Sequence, residues 1–251
     1  KENHKETDNI NMKIKNILIA LGVCALFGVN MLSLYFSDAI VNKDKYSVVG
    51  VDVSRYQGVI DWDIIEAQNI DFAFIKATEG SGHVDGFFAE NIKNVNKTNI
   101  YHSAYHFFSF DSAGDTQAEN YITAVDKESI NLPPVVDVEF YGDKQKNQPS
   151  VEETESILKP LLEKLEQHYG KKPIIYTTNF VYRKYIRDNF SEYPLWIRNV
   201  NTEPIFTDWT FWQYSDKGLL EGYEGIEKHI DLNVYKGSEE EFLEQFGKEV
   251  E

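Results

Sequence analysis

Leu132-Pro133-Pro134-Val135-Val136-Asp137-Val138-Glu139-Phe140 is the stretch from which the fold is read. Val135, Val136, Val138 and Phe140 favour a strand, and the two prolines punctuate its start. Side chains alternate along a strand, so Asp137 and Glu139 share a face, their Cα atoms about 6.5–7 Å apart. Two carboxylates on an apolar strand cost free energy unless they line a wet cavity or a site. Close together they raise each other's proton affinity, which makes one of them a candidate proton donor near neutral pH. The plainer alternative is a strand end whose acids cap a helix or meet arginines.

Outward from this strand, the chain repeats a strand–helix rhythm. Ser47-Val48-Val49-Gly50-Val51-Asp52-Val53 precedes a helix capped by Asp61, and Phe72-Ala73-Phe74-Ile75-Lys76-Ala77 precedes helical spacing at Phe88, Ile92 and Val95. An aromatic-rich strand over residues 100–108 leads to a helix that Asp115 is expected to cap. After the central strand, Ser150 and Glu153 form a capping box for a helix that ends at Gly170, with Pro160 expected to bend it. Pro173-Ile174-Ile175-Tyr176-Thr177 and a Tyr/Arg-rich helix complete the fifth unit. Leu195-Trp196-Ile197, Thr210-Phe211-Trp212-Gln213-Tyr214 and His229-Ile230-Asp231-Leu232 are strand-like, with no long helix between them; Ser238 and Glu241 open a last short helix. Five strand–helix units and three more strands predict an α/β fold, a TIM-like barrel of eight strands over residues 47–251.

The N-terminal 39 residues balance four lysines with four acids, so the rest carries the whole net charge of −16. That excess argues against nucleic acid as a partner, which needs clustered positive charge. The single cysteine, Cys24, falls in the N-terminal segment, leaving the barrel without a disulfide, thiol nucleophile or cysteine metal site. Residues 17–36 are mainly apolar, preceded by Lys13 and Lys15 and followed by Ser37-Asp38-Ala39. They read as a membrane-spanning helix or as a long signal peptide cut after Ala39, and either exports the remainder. Met12, directly before the basic residues, is a candidate natural start. The expected organisation is a leader over 1–39, a polar linker over 40–46 and the barrel beyond.

In parallel barrels, sites gather at the C-terminal ends of strands. Asp52 ends the first strand, Asp137 and Glu139 end the fourth, and Asp231 lies in the eighth, which neighbours the first once the barrel closes. Four acids from distant sequence thus converge on one mouth. Tyr56, Tyr105, Phe107, Tyr176, Trp196, Trp212 and Tyr214 lie at strand ends around them, where rings serve as core or rim, or as platforms for sugar faces. Lys76 and Glu79 are expected to pair or to orient neighbours. His102 and His106 share a strand face, so a His/carboxylate metal site is an alternative to weigh.

Gly50-Val51-Asp52-Val53-Ser54 with Gln57-Gly58, Ile75-Lys76-Ala77-Thr78-Glu79-Gly80, Tyr105-His106-Phe107, Asp137-Val138-Glu139, Trp212-Gln213-Tyr214 and Asp231-Leu232-Asn233 together resemble the family 25 glycoside hydrolases, the Chalaropsis-type N-acetylmuramidases. The resemblance runs in order through residues 48–235. It implies a (β/α)5β3 barrel and hydrolysis of the β-1,4 bond between N-acetylmuramic acid and N-acetylglucosamine in peptidoglycan glycan strands. It makes Glu139 the general acid and Asp137, Asp52 and Asp231 its acidic partners; the chemistry of the pair leads us to expect Asp137 to stay ionised and to orient the 2-acetamido group. Tyr56, Lys76, Glu79, Tyr105, Tyr176, Trp196, Trp212 and Gln213 are the expected substrate contacts. Arg198-Asn199 departs from the family pattern, which has a small residue and an aromatic there. The expectation is a monomeric enzyme without cofactor or metal, acting at the outer face of the cell envelope, anchored or secreted. Two rivals stay open: a non-catalytic sugar-binding barrel and a metal-dependent hydrolase built on the same acids.

Overall fold

A computed structural model describes residues 45–204 and 208–247, all within one compact unit, Lys43–Glu251. The N-terminal expectations, including the apolar run over 17–36, lie outside the described residues. Among those described, no helix is long and apolar enough to cross a membrane.

Eight strands close on themselves: β1 (Val49–Val53), β2 (Phe72–Glu79), β3 (Tyr101–Phe107), β4 (Val135–Val138), β5 (Ile174–Thr178), β6 (Leu195–Arg198), β7 (Trp209–Gly218) and β8 (Ile230–Tyr235). Neighbours from β1 to β7 pair in parallel, whereas β8 runs antiparallel to both β7 and β1. A two-residue strand, His83–Val84, folds back on the end of β2. The five crossovers after β1 to β5 are helical: α1 (Trp62–Glu66), α2 (Phe88–Val95), α3 (Gly114–Ala124), α4 (Val151–Tyr169) and a short turn, Asn179–Val181, that continues as the π-helix Tyr182–Ile186. No described helix lies between β6, β7 and β8, as the change of rhythm predicts. Asp61 and the Ser150–Glu153 box cap their helices, and Gly170 ends α4 in the left-handed conformation. Pro160 sits inside α4, which runs on past it.

Asp115 does not cap α3. The helix starts two residues earlier, at Gly114, with Ala113 at the N-cap and no side-chain bond there. A Cβ on Gly114 would stand 2.0 Å from the Ile157 carbonyl oxygen, so α3 and α4 touch at this glycine. The first turn of α3 is therefore packed closely against α4 and has no carboxylate cap.

The barrel's floor is aromatic. Phe72, Phe74, Phe211 and Tyr235 point inward from β2, β7 and β8, and the C-terminal helix α5 (Glu239–Phe246) plugs the end with Phe242 and Phe246. Phe242 meets Tyr101 edge-on at 5.2 Å, and Phe246 lies 5.8 Å from Phe211. Gly50 leaves room for the Phe72 ring, which a Cβ would meet at 2.4 Å. Lys45 and Tyr46, at the end of the stretch read as linker, are held by Glu203, and the Tyr46 ring packs 6.0 Å from Trp212.

Candidate active site

The opposite end of the barrel opens into a cleft of about 370 Å³ lined by Asp52, Asp137, Glu139 and Asp231. Each reaches it by strand parity. Asp52 and Asp231 stand directly opposite each other on the antiparallel β1–β8 pair. Asp137 is paired in register with Phe107 on one side and Tyr176 on the other, and Glu139 follows just past the end of β4.

Two amides serve the first pair of acids. Trp196 Nε1 donates to Asn233 Oδ1 at 2.9 Å, and an indole can only donate. The amide nitrogen of Asn233 therefore faces Asp52, donating to its Oδ2 at 2.8 Å. Tyr176 OH donates to Gln213 Oε1 at 2.9 Å, and Gln213 Nε2 donates to Asp52 Oδ2 at 2.8 Å and Asp231 Oδ2 at 3.2 Å. Burial raises the Asp52 carboxyl, and the donors from Asn233, Gln213 and Asp231 pull it back. Asp231 is pushed up to about 9, by burial first and then by Asp52 and Asp216. At neutral pH Asp231 holds a proton and Asp52 is the better placed to carry the charge.

The second pair has little such support. Asp137 is buried, and its Oδ1 has no hydrogen-bond partner among the described residues. Burial, then the charge of Glu139, raises Asp137 well above the usual carboxylate range. Glu139 is raised as well, by burial first, with the Arg198 guanidinium working against the shift. Burial and the neighbouring charge of Glu139 both work against the ionised form of Asp137 that the sequence reading expects.

Of the expected substrate contacts, Tyr56, Lys76 and Tyr105 line the cleft. Lys76 Nζ bonds Glu79 Oε2 at 2.9 Å and lies 4.6 Å from the centre of the Phe107 ring, so Glu79 acts by holding Lys76. Tyr176, Gln213 and Trp196 sit beneath the surface as the relay to the acids, with the Trp196 ring 4.5 Å from Phe74. Trp212 faces the other way. It is fully buried on the outer side of β7 against Trp209 and Tyr46, its Nε1 bonded to Asn199 O at 2.9 Å. Adjacent strand residues point to opposite faces, so Trp212 and Gln213 cannot both reach the cleft.

His102 and His106 also point away from the acids. His106 bonds Thr78 and Gln117 behind β3 and is lowered to about 4 by burial, while His102 bonds the Ile100 and Ser129 carbonyls. The His/carboxylate combination is therefore not formed, and among the described residues no three His, Cys, Asp or Glu side chains are grouped as metal ligands. Sequence reading missed Asn233, although its two-residue spacing from Asp231 puts both on one face. It also passed over the Arg198–Asp216 ion pair, at 2.8 Å, on the rim.

Comparison with known proteins agrees with this geometry. The family model for glycosyl hydrolases family 25 matches residues 51–223. A solved family 25 glycosyl hydrolase from Bacillus anthracis is 53% identical, with a TM-score of 0.77 over 83% of this chain and 97% of that one. The uncharacterized protein YegX of Escherichia coli is 32% identical over 91% of this chain and 92% of its own length. Lysozyme M1 of Streptomyces globisporus is 28% identical over 78% of this chain and 70% of its own length.

Proposed function

The chain belongs to glycosyl hydrolase family 25, and on that premise we propose that it is a peptidoglycan hydrolase of the muramidase type, cleaving between N-acetylmuramic acid and N-acetylglucosamine with Glu139 as proton donor. The observation that carries the assignment of roles is the orphaned Asp137 Oδ1 beside Glu139. A buried acceptor without a partner costs about 1–3 kcal/mol, which a substrate N–H recovers on binding. The 2-acetamido group of the sugar supplies such a donor.

Its N–H, donated to Asp137, favours the ionised form of that acid and leaves the proton shared by the pair on Glu139. Glu139 passes this proton to the glycosidic oxygen as the C1–O bond breaks. The acetamido oxygen, oriented by Asp137, closes on C1 to give an oxazolinium-like intermediate, and the charge at Asp52 faces the developing cation. Water then attacks C1 and returns a proton to Glu139, with net retention. Asp137 and Glu139 leave one strand on one face, so a direct attack by Asp137 from the far side of the ring is disfavoured. The apolar run over 17–36, with its flanking lysines, supports export to the outer face of the envelope, anchored or cleaved after Ala39.

Digestion of purified peptidoglycan in chelator tests the assignment. We expect new reducing ends on N-acetylmuramic acid, with the β-anomer formed first by proton NMR. Reducing ends on N-acetylglucosamine would overturn the bond assignment. A first-formed α-anomer would overturn retention, and a covalent adduct trapped on Asp52 or Asp231 would replace the acetamido nucleophile with that acid.

A further inference from the structure

A groove of about 1140 Å³ runs beside the catalytic cleft, and Val59, Trp62, Ile64, Phe87 and Ile226 supply its apolar lining. Val59, Ile64 and Phe87 are exposed, and Ile226 is 86% exposed. Apolar side chains gathered in one concavity of a soluble domain mark an interaction site more often than scattered ones do. Trp62 adds a polar sign. Its indole is almost wholly buried, yet Nε1 has no partner among the described residues. An indole N–H in that position is a donor in want of an acceptor.

The groove and the cleft share one partition. Tyr56 lines the cleft and Arg55, before it, the groove; Glu227 lines the cleft and Ile226, before it, the groove. Two segments form the partition and are tied together. Glu227 N donates to Tyr56 O at 2.9 Å, and Gln57 Nε2 donates to His229 O at 3.0 Å. They touch at Gly225, where a Cβ would stand 2.1 Å from Tyr56 O. Neighbouring residues of each segment face opposite sides, so the partition is one chain layer thick and a few extended residues cross it.

We propose that this groove receives the stem peptide that branches, through the lactyl group, from an N-acetylmuramic acid ring lying in the cleft. The proposal rests on the muramidase reading and deepens it: the enzyme reads the peptide as well as the glycan. A stem peptide combines small apolar residues with both carboxylate and ammonium groups. The groove answers with exposed apolar side chains and with Arg55 and Lys97 set among the acids Asp61, Asp63, Glu221 and Glu224. Val59, Ile64 and Ile226 are aliphatic, which suits the methyl groups of small apolar residues, beside the rings of Trp62, Phe87 and Tyr223. Continuity with the cleft across a wall that a short peptide can cross favours this occupant over a second copy of the chain.

The full chain, wild type and with Ile226→Ser or Val59→Ser, is assayed on glycan strands that carry stem peptides and on strands stripped of them by an amidase. Both substitutions are at exposed positions, so folding is spared. We expect each to raise KM on peptide-bearing strands about fivefold to tenfold, the size of one lost aliphatic contact, with kcat unchanged and bare strands unaffected. Equal effects on both strand types would give the groove to sugar, and no effect on either would leave it without a role; both overturn the assignment. So would a dimer in sedimentation that Ile226→Ser dissociates. A wild-type chain that cleaves neither strand type overturns instead the muramidase reading beneath it.

Discussion

At one end of the barrel the strands turn Phe72, Phe74, Phe211 and Tyr235 into a dry aromatic floor closed by Phe242 and Phe246. At the other end, the same barrel turns Asp52, Asp137, Glu139 and Asp231 into one cleft. The floor satisfies every rule of a stable core: apolar, ring against ring, sealed by a helix. The mouth breaks those rules. All four of its carboxyls are pushed upward, with burial as the first cause in each. Each strand thus contributes stability at its one end and spends some of it at the other. Substitutions at the two ends should accordingly fail in different ways.

The largest expected effect is at the mouth. Glu139→Gln keeps the shape of the side chain and removes the transferable proton, so hydrolysis should fall by about 10²–10⁴-fold, the usual contribution of general acid catalysis. The melting temperature should hold or rise, since a half-buried ionisable group is replaced by a neutral amide of the same shape. A pure variant that retains more than about a tenth of wild-type activity would move the donor role to another residue. The floor should show the reverse. Phe211→Ala removes a ring packed against Phe72, Phe74 and Tyr235 and should cost roughly 3–5 kcal/mol. For a domain of this size, that lowers the melting temperature by about 2–4 °C per kcal/mol. Turnover per folded molecule, measured well below the transition, should stay near wild type. Lost turnover without lost stability would show that floor and mouth are not separable.

How far each end is legible in sequence follows from the same contrast. The alternation in Val135-Val136-Asp137-Val138-Glu139 places both acids on the inner face, and the structure brings Asp52 and Asp231 beside them. Parity also shows where the reading slipped. The family motif makes both Trp212 and Gln213 substrate contacts, yet neighbours on a strand face opposite ways, and Trp212 packs outside against Tyr46. Trp196 has the right parity but the wrong depth, one layer below the cleft, where it orients Asn233. Depth is set by strand stagger, which alternation does not encode. Arg198 was visible only as a departure from a pattern; its partner Asp216 lies beyond irregular β7–β8 register that no local signal announces.

The smallest effect is the most diagnostic, because its sign separates the two ends. A carboxyl raised in the folded state binds its proton more tightly than in the unfolded chain. It therefore contributes stability that is complete below the ordinary carboxyl range and is lost as pH rises through the folded value. For Asp231 that loss extends to about 9. His106, lowered to about 4 behind β3, acts in the opposite sense: the unfolded chain takes up its proton more readily, so stability rises with pH until about 6.5. Above that point the histidine contributes nothing further, and the mouth acids alone set the slope. Between pH 6.5 and 9 one extra proton held by the folded state is worth about 1.4 kcal/mol per pH unit. The melting temperature should then fall by roughly 3–6 °C per unit. Asp231→Asn removes one titrating partner from this cleft and should flatten the decline, while Phe211→Ala should lower the whole curve and keep its slope. A wild-type melting temperature that is level or rising across this range, or an Asp231→Asn curve parallel to wild type, would show that the protons are not held at the mouth.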